Sequence, residues 1–416
     1  MTRVCMVVFN NYLTDTRVRR EAEALLDRGD SVDVICLREK GQERTHVFKG
    51  ARLYQVTTGK YRGSSGMLYL AQYLEFFVAA SFLLAFLHLR RRYQVVQVHT
   101  LPDFMVFVAI VPKLLGARVV LDVHDLMPEL YQSKFHLRDS HWLVRFITWI
   151  ERRSIGFADR AIAVHIPHLD ALVRHGNPGD KFIVLLNLPD PRLFSRQTTT
   201  ERSRDACFRL TYHGTIAQRH GLRVGLRALS KVRDEIENME FRIIGVGEDV
   251  QYLAELSREL GLTDCVRISE SWVPAEELVP VVLASDLGLV PILKDDFTQY
   301  MLPTKLLEYV ALGVPVICSR TATIEAYFDD SMVRYVEPGN VDGLAAEILD
   351  LYRNPEKRRA LATSANRFNQ EYNWEKMKQQ YYQLIDALAG EARAQGQGRA
   401  LVVSNGSQED RRSQSL

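Results

Sequence analysis

Lys305 and Glu308 stand three residues apart in Phe297–Cys318, FTQYMLPTKLLEYVALGVPVIC, a spacing that puts a cation and an acid on one face of a helix. Pro303 and Thr304 open that helix, Leu306, Leu307, Val310 and Ala311 form its apolar side, and Gly313 ends it before the buried strand Val314–Cys318. A cation in the first turn opposes the helix dipole, so Lys305 calls for a negative partner. A phosphate would serve; so would a surface ion pair with Glu308, worth a few tenths of a kcal/mol. A second cationic turn lies in LTYHGTIAQRHGL, where a strand ends at His213 and a helix starts near Gly221. The backbone amides from Gly214 and Thr215 onward, with Arg219 at the helix entrance, suit a diphosphate through charge-assisted bonds, against the alternative of a solvated arginine. The turn is neither a G-x-G-x-x-G fingerprint nor a P-loop. Gly245 and Gly247 follow the strand FRIIG, where the missing Cβ lets a ligand or a neighbouring backbone come close. In SESWVP, Trp272 and the backbone around Val273 could meet a nucleobase, or Trp272 could simply pack.

The N-terminal half offers different chemistry. VVQVHTLPD ends a strand at His99, and VVLDVHDLMPELY ends the next near His124 and Asp125. His124, flanked by Asp122 and Asp125, could hydrogen-bond a sugar hydroxyl or move a proton, or could be satisfied by local backbone; His99 has the weaker case. The spacing of the two histidines has no metal-ligand character and neither H-E-x-x-H nor D-x-D accompanies them, so no metal is expected. NNYLTDTRVRR places Asp15, Arg17 and Arg20 at a helix entrance, where they could meet a polar acceptor or make caps and salt bridges. The absence of glycine from this turn argues against a dinucleotide pyrophosphate there.

Two series of alternating strands and helices must position these residues. Val4–Phe9, Val32–Leu37, Val95–Val98, Ala117–Val123, Ala161–Val164 and Phe182–Leu186 read as the strands of the first series. Phe208–Tyr212, Phe241–Gly245, Val266–Ser269, Leu287–Pro291, Val314–Cys318 and Val333–Val336 read as those of the second. The reading is α/β: two doubly wound Rossmann-like domains, 1–187 and 206–372, joined by a linker at 188–205. Such domains bind ligands at the carboxyl ends of their strands, and two of them are expected to face a central cleft. A helix over 373–390 is expected to return to the first domain, ahead of a disordered tail at 391–416 rich in Gly, Gln, Ser and Arg.

The 416 residues suffice for two domains of about 180 residues, each with its own core. With 53 basic against 51 acidic residues, the net charge of +2 gives no reason to expect nucleic acid. Five scattered cysteines, without disulfide or zinc spacing, fit a reducing cytoplasmic compartment, and MTRVCMVVFN does not read as a signal peptide. The apolar run Phe76–Leu89, followed by Arg90, Arg91 and Arg92, has 14 residues where about twenty are needed to span a bilayer. It reads as a core helix or as a helix in the membrane interface. HWLVRFITWIERR, which mixes aromatic and basic residues, adds to the second reading and to an expected peripheral contact with the inner face of a membrane.

DTRVRREAEALLDRGDSVDV, LDVHDLMPELY, YHGTIAQRHGL and PTKLLEYVALGVPVI together resemble the retaining nucleotide-sugar glycosyltransferases of family 4, which have the GT-B fold, over Arg3 to about Ala389. The resemblance implies transfer of a sugar from a nucleotide diphosphate to a glycan or lipid-linked hydroxyl in cell-surface polysaccharide or glycolipid synthesis. It implies retention of anomeric configuration and neither a cofactor nor a catalytic metal. By the same resemblance Arg219 and Lys305 hold the diphosphate, Glu308 holds the ribose, and His124 positions donor sugar or acceptor. Two departures stand out: Tyr300 occupies the place where the family often has a first glutamate, eight residues before Glu308, and His220 stands where many relatives have lysine. A nucleotide-sugar 2-epimerase of the same architecture and a non-catalytic membrane-associated binding module are the competing readings.

Overall fold

The computed structural model describes residues 1–38, 41, 43–58, 66–195, 207–269, 271 and 273–413; the side chains of 58, 66 and 396–413 lie outside that description. The chain forms two compact units, Met1–Leu186 with Glu375–Leu416, and Asn187–Trp374. Most of the expected linker, 196–205, falls outside the described residues.

The first unit begins with β1 (Arg3–Val8), α1 (Thr16–Asp27), β2 (Ser31–Arg38), β3 (Thr45–Phe48), β4 (Ala51–Thr58) and α2 (Gly66–Arg91). It continues with β5 (Val95–His99), α3 (Ile110–Leu114), β6 (Arg118–Val123), α4 (Met127–Phe135), α5 (Trp142–Phe157), β7 (Arg160–Ala163), α6 (Ile166–Arg174) and β8 (Phe182–Val184). The sheet order is β3-β4-β2-β1-β5-β6-β7-β8, parallel except for the β3–β4 pair. All five residues of β5 are buried, because helices cover both faces of a central parallel strand. The β3–β4 hairpin was not anticipated from sequence. Its signal is Lys49-Gly50: both residues have positive φ (46° and 91°) and Phe48 pairs with Ala51, so a two-residue turn closes the strands.

The second unit runs β9 (Phe208–His213), α7 (Leu222–Val232), β10 (Met239–Ile244), α8 (Val250–Glu259), β11 (Val266–Ile268), α9 (Ala275–Leu283) and β12 (Leu287–Val290). It ends with α10 (Thr304–Leu312), β13 (Val316–Ser319), α11 (Ala322–Glu325), β14 (Arg334–Val336), α12 (Val341–Arg353) and α13 (Pro355–Glu371). Its six strands lie in the order β11-β10-β9-β12-β13-β14, which reverses direction between β9 and β12. That is the doubly wound dinucleotide-fold order, and its ligand crevice lies beyond the carboxyl ends of β9 and β12. A core of Leu210, Tyr212, Phe241, Ile243, Leu287 and Ile317 with the apolar faces of α7, α8 and α12 fixes the sheet.

The last helix, α14 (Trp374–Ser413), belongs to the first unit from Glu375 onward. The Tyr381 hydroxyl donates to Gln97 Oε1 at 2.6 Å and the Tyr382 hydroxyl to the Ala24 carbonyl at 2.7 Å. The helix runs past Ala389 to Ser413, carried beyond Gly390 by Glu391–Gln395, which are good helix formers without a proline.

Candidate active site

In the second unit, β9 delivers Tyr212 and His213 to the sheet edge and α10 brings Lys305 back against them. Lys305 is 7% exposed; its Nζ lies 3.1 Å from the Tyr212 hydroxyl, to which it donates, and 4.5 Å from the centre of the Tyr212 ring. The Tyr212 hydroxyl in turn donates to the Thr215 carbonyl, so one tyrosine ties the lysine to the Gly214–Thr215 turn. Gly214 has φ +106°, and a Cβ there would sit 3.2 Å from Lys305 Cε. The turn therefore needs glycine for both its conformation and its closeness to the lysine.

Two cations, Lys305 and Arg219, and one acid, Glu308, set the charge around this turn. Burial pushes the Lys305 ammonium down to about 8, with Glu308 pulling it upward and Arg219 downward. Burial and Lys305 push His213 to about 3, and burial, Lys305 and Arg219 do the same to His220, so both imidazoles are neutral near pH 7. The 3.4 Å approach of the neutral His213 Nδ1 to Glu308 is thus not an ion pair. Arg219 Nε, His213 Nε2 and His220 Nδ1 are buried without hydrogen-bond partners. Of these only Arg219 Nε is an N–H in every protonation state, since each neutral imidazole has one donor and one acceptor nitrogen, and a buried guanidinium donor of this kind is stabilised by an anion. The Arg219 carbonyl accepts from Leu293 N at 2.9 Å, which fastens the arginine's turn to the segment after β12.

Lys305, Gly214, Thr215 and Arg219 are therefore brought together, with Glu308 on the same helix. Thr304 is exposed at the start of α10, whose N-cap Pro303 supplies no side-chain bond to the first turn. Tyr300 closes a short 3-10 turn, Thr298–Tyr300, and is partly buried. Val273 is partly buried ahead of α9, and Trp272 lies outside the described residues. Gly245 and Gly247 are explained by backbone rather than by a ligand: a Cβ on Gly245 would collide with the Gly214 carbonyl oxygen, and one on Gly247 with that of Ile216. They shape the turn that carries the anion-seeking groups. Tyr212, the residue that anchors Lys305, was not singled out from sequence, where alternation marks it only as core.

In the first unit the acceptor-side expectations are largely corrected. Arg17 is 3% exposed and faces inward: its Nε and Nη2 bond both oxygens of Asp122, at 2.9 and 2.8 Å, and its Nη1 donates to the Leu185 carbonyl at 3.0 Å. It cannot meet an acceptor directly. Asp15 caps α1, accepting from Val18 N at 3.2 Å and from Asn10 Nδ2 at 3.0 Å. His99 is fully buried, with Nδ1 3.0 Å from Asp122 Oδ2. Asp125 stays partly exposed beyond the end of β6. His124 keeps 19% of its side chain exposed, and its Nε2 lies 3.1 Å from Asp122 Oδ2 and 3.3 Å from His99 Nδ1. Burial pulls its pKa down, but the charge and hydrogen bond of Asp122 prevail and the net shift is upward.

His99, Asp122 and His124 offer ligand atoms within 4.8 Å of one another, although the spacing of the histidines gave no metal-ligand signal. Parallel pairing sets His99 opposite Asp122, a long-range register that residue spacing does not reveal. The donor set nevertheless fits a cation poorly, because Arg17 already occupies both carboxylate oxygens with its own positive charge.

The first unit also carries an exposed apolar surface. The 14-residue run lies within the 26-residue α2, whose Met67–Arg91 stretch is long and apolar enough to cross a membrane by length and composition. Phe76, Ala80 and Leu84 are buried, whereas Leu70, Leu74, Val78, Phe82 and Phe86 form an exposed stripe at four-residue spacing. On α5, Trp142, Phe146 and Trp149 are exposed and line a surface hollow with Arg145. Phe146 and Trp149 stack, and Arg153 lies 5.6 Å from the Trp149 ring.

Comparison with known proteins matches 14–187 to the family described as glycosyl transferase 4-like domain and 207–354 to the family described as glycosyl transferases group 1. The chain is 26% identical over 202 residues to the amylovoran biosynthesis glycosyltransferase AmsK of Erwinia amylovora, covering 47% of this chain and 48% of that protein. It is 28% identical over 158 residues to the MMP alpha-(1->4)-mannosyltransferase of Mycolicibacterium hassiacum, covering 37% of each. It thus spans about half or less of the curated relatives it matches. Among solved structures, sucrose-phosphate synthase from Thermosynechococcus elongatus superposes with a TM-score of 0.75 at 18% identity, covering 93% of this chain and 99% of that one. Anabaena Alr3699/HepE in complex with UDP-glucose superposes with a TM-score of 0.70 at 14% identity, covering 92% and 99%. These likenesses establish the GT-B fold of two Rossmann-like domains.

Proposed function

Since the chain belongs to the family 4 glycosyltransferases, with a 4-like domain followed by a group 1 domain, we propose that it transfers a sugar from a nucleoside-diphosphate donor to a hydroxyl of a glycan or lipid-linked acceptor. The observation that carries this reading is the cationic turn at the carboxyl end of β9, where Lys305 packs on Gly214, Arg219 lies close enough to push the Lys305 pKa down, and neutral histidines stand beside them. As the anomeric C–O bond to phosphate breaks, negative charge grows on the leaving diphosphate, and these fixed cations meet it without reorganisation. Glu308, on the same face of α10, takes the ribose hydroxyls. The complex of the Anabaena relative with UDP-glucose supports a nucleotide-sugar donor.

The reaction proceeds with retention and without a metal. The acceptor oxygen bonds to the anomeric carbon on the face that the phosphate leaves, and the acceptor proton passes to the departing phosphate oxygen. His124 holds a hydroxyl of donor sugar or acceptor. The apolar stripe of α2 and the aromatic and arginine residues of α5 seat the first unit on an anionic membrane surface, where a lipid-linked or nascent surface glycan would be met. Free thiols at Cys5, Cys36, Cys207, Cys265 and Cys318 fit a reducing, cytoplasmic setting.

A screen of UDP-, GDP- and ADP-sugars with a mixed glycolipid acceptor, reading free nucleoside diphosphate, tests the reading. Release from one donor class that depends on acceptor and falls about 100-fold in K305A and R219A supports it. Conversion of the sugar without acceptor and without diphosphate release would make the protein an epimerase instead.

A further inference from the structure

Behind His124 lies a buried polar chain that diphosphate binding does not use. Asp122 is fully buried and carries four directed contacts: Arg17 Nη2 on Oδ1, and Arg17 Nε, His99 Nδ1 and His124 Nε2 on Oδ2. Arg17 is held in turn by the Leu185 carbonyl and by Glu21, 3.4 Å from its Nε. Glu21 accepts from Gln97 Nε2 at 2.7 Å, and Gln97 accepts from Tyr381 of α14 at 2.6 Å. We propose that Asp122, locked by Arg17, is a positioning residue that fixes His124 as the Nε2–H tautomer and leaves its Nδ1 to meet a substrate hydroxyl. The proposal rests on the reading of His124 as part of the transfer site.

The hydrogen-bond network assigns the tautomers. His99 Nε2 is buried without a partner, so a proton there would be an unsatisfied buried donor; on Nδ1 it reaches Asp122. The His99 Nδ1–H has two acceptors in reach, Asp122 Oδ2 at 3.0 Å and His124 Nε2 at 3.3 Å; it goes to the nearer, charged carboxylate, which leaves His124 Nε2 to donate to that same oxygen at 3.1 Å. The opposite tautomer of His124 would set the Nε2 lone pair against the lone pairs of Asp122. His124 N is also fixed, donating to Thr100 Oγ1 at 2.9 Å. The charged and titratable groups facing the ring are Arg17 and Asp15 of α1, His99 of β5, Asp122 of β6 and His168 of α6. Burial, with help from His165 and Arg17, holds His168 neutral, which leaves Asp122 as the anion in contact with His124. An imidazole tethered in this way by a carboxylate takes and returns a proton at one defined nitrogen.

The test has two readouts on the full-length protein. In kinetic pH profiles of the transfer reaction, D122N is expected to lower kcat at least tenfold with the donor KM within about threefold. The limb that follows His124 should move about one to two units toward lower pH, because the anion that favours the imidazolium is gone. An active D122N enzyme with an unmoved limb would overturn the proposal. Where D122N does not fold, 15N NMR of histidine-labelled wild-type protein decides, with the His124 signals assigned by their loss in H124Q. The Nε2–H tautomer supports the proposal and the Nδ1–H tautomer overturns it. Full activity in H124A would instead remove His124 from the transfer site, a failure of the parent reading that these two measurements distinguish.

Discussion

Lys305 is held in a place that costs it part of its charge. Its ordinary value of 10.5 falls to about 8 in the folded chain, so between those values the unfolded chain keeps a proton that the folded chain releases. The contribution of this group to stability therefore rises with pH across that window, and below it the buried ammonium is a standing cost. A bound diphosphate removes the cost by pairing with the charge. Thermal melts of the ligand-free protein from pH 7.5 to 10.5 should show wild type gaining stability relative to K305M as pH rises; parallel curves for the two would show that Lys305 is not desolvated. Lys305 and Arg219 were legible in the sequence because each is a cation at a helix entrance. Arg17 was misread for the same reason: a helix-entrance arginine gives no sign of facing inward until β6 places Asp122 beside it. Tyr212 and Asp122, which hold the two candidate sites in shape, look from sequence like a core aromatic and a strand-end acid.

At the level of elements, strand and helix order in both halves could be read because buried parallel strands and amphipathic helices leave strong periodicities. The β3–β4 hairpin escaped because its strands are short and its turn is Lys-Gly rather than Asn-Gly. Helix α2 shows the limit of reading apolar runs. Length and composition alone pass it as a membrane span, yet Phe76 is fully buried against Phe9, and only the opposite stripe is free to meet lipid. Phe82 and Trp149 are the exposed anchors to test. The wild-type protein should float with phosphatidylglycerol-containing vesicles at low salt. A double variant F82S/W149S should bind at least about tenfold more weakly, since each large apolar side chain is worth roughly 1.5–3 kcal/mol on burial. Equal flotation of both proteins, or none by the wild type, would remove this surface from the account.

Taken as a whole, the molecule divides its chemistry between two units, each with its site at the carboxyl ends of parallel strands. The second unit gathers Lys305 and Arg219 at the Gly214 turn; the first holds an imidazole on a buried carboxylate. α14 follows the second unit in sequence but lies in the first, where Tyr381 joins the polar chain behind His124. This division predicts that binding and turnover separate by unit. Isothermal titration of UDP, GDP and ADP into wild type, R219A/K305A and H124A tests it most directly. The nucleotide that binds wild type should bind R219A/K305A at least about 100-fold more weakly, since two charge-assisted contacts are lost, while H124A keeps wild-type affinity. Unchanged affinity in R219A/K305A would contradict the assignment of the Gly214 turn as the diphosphate site.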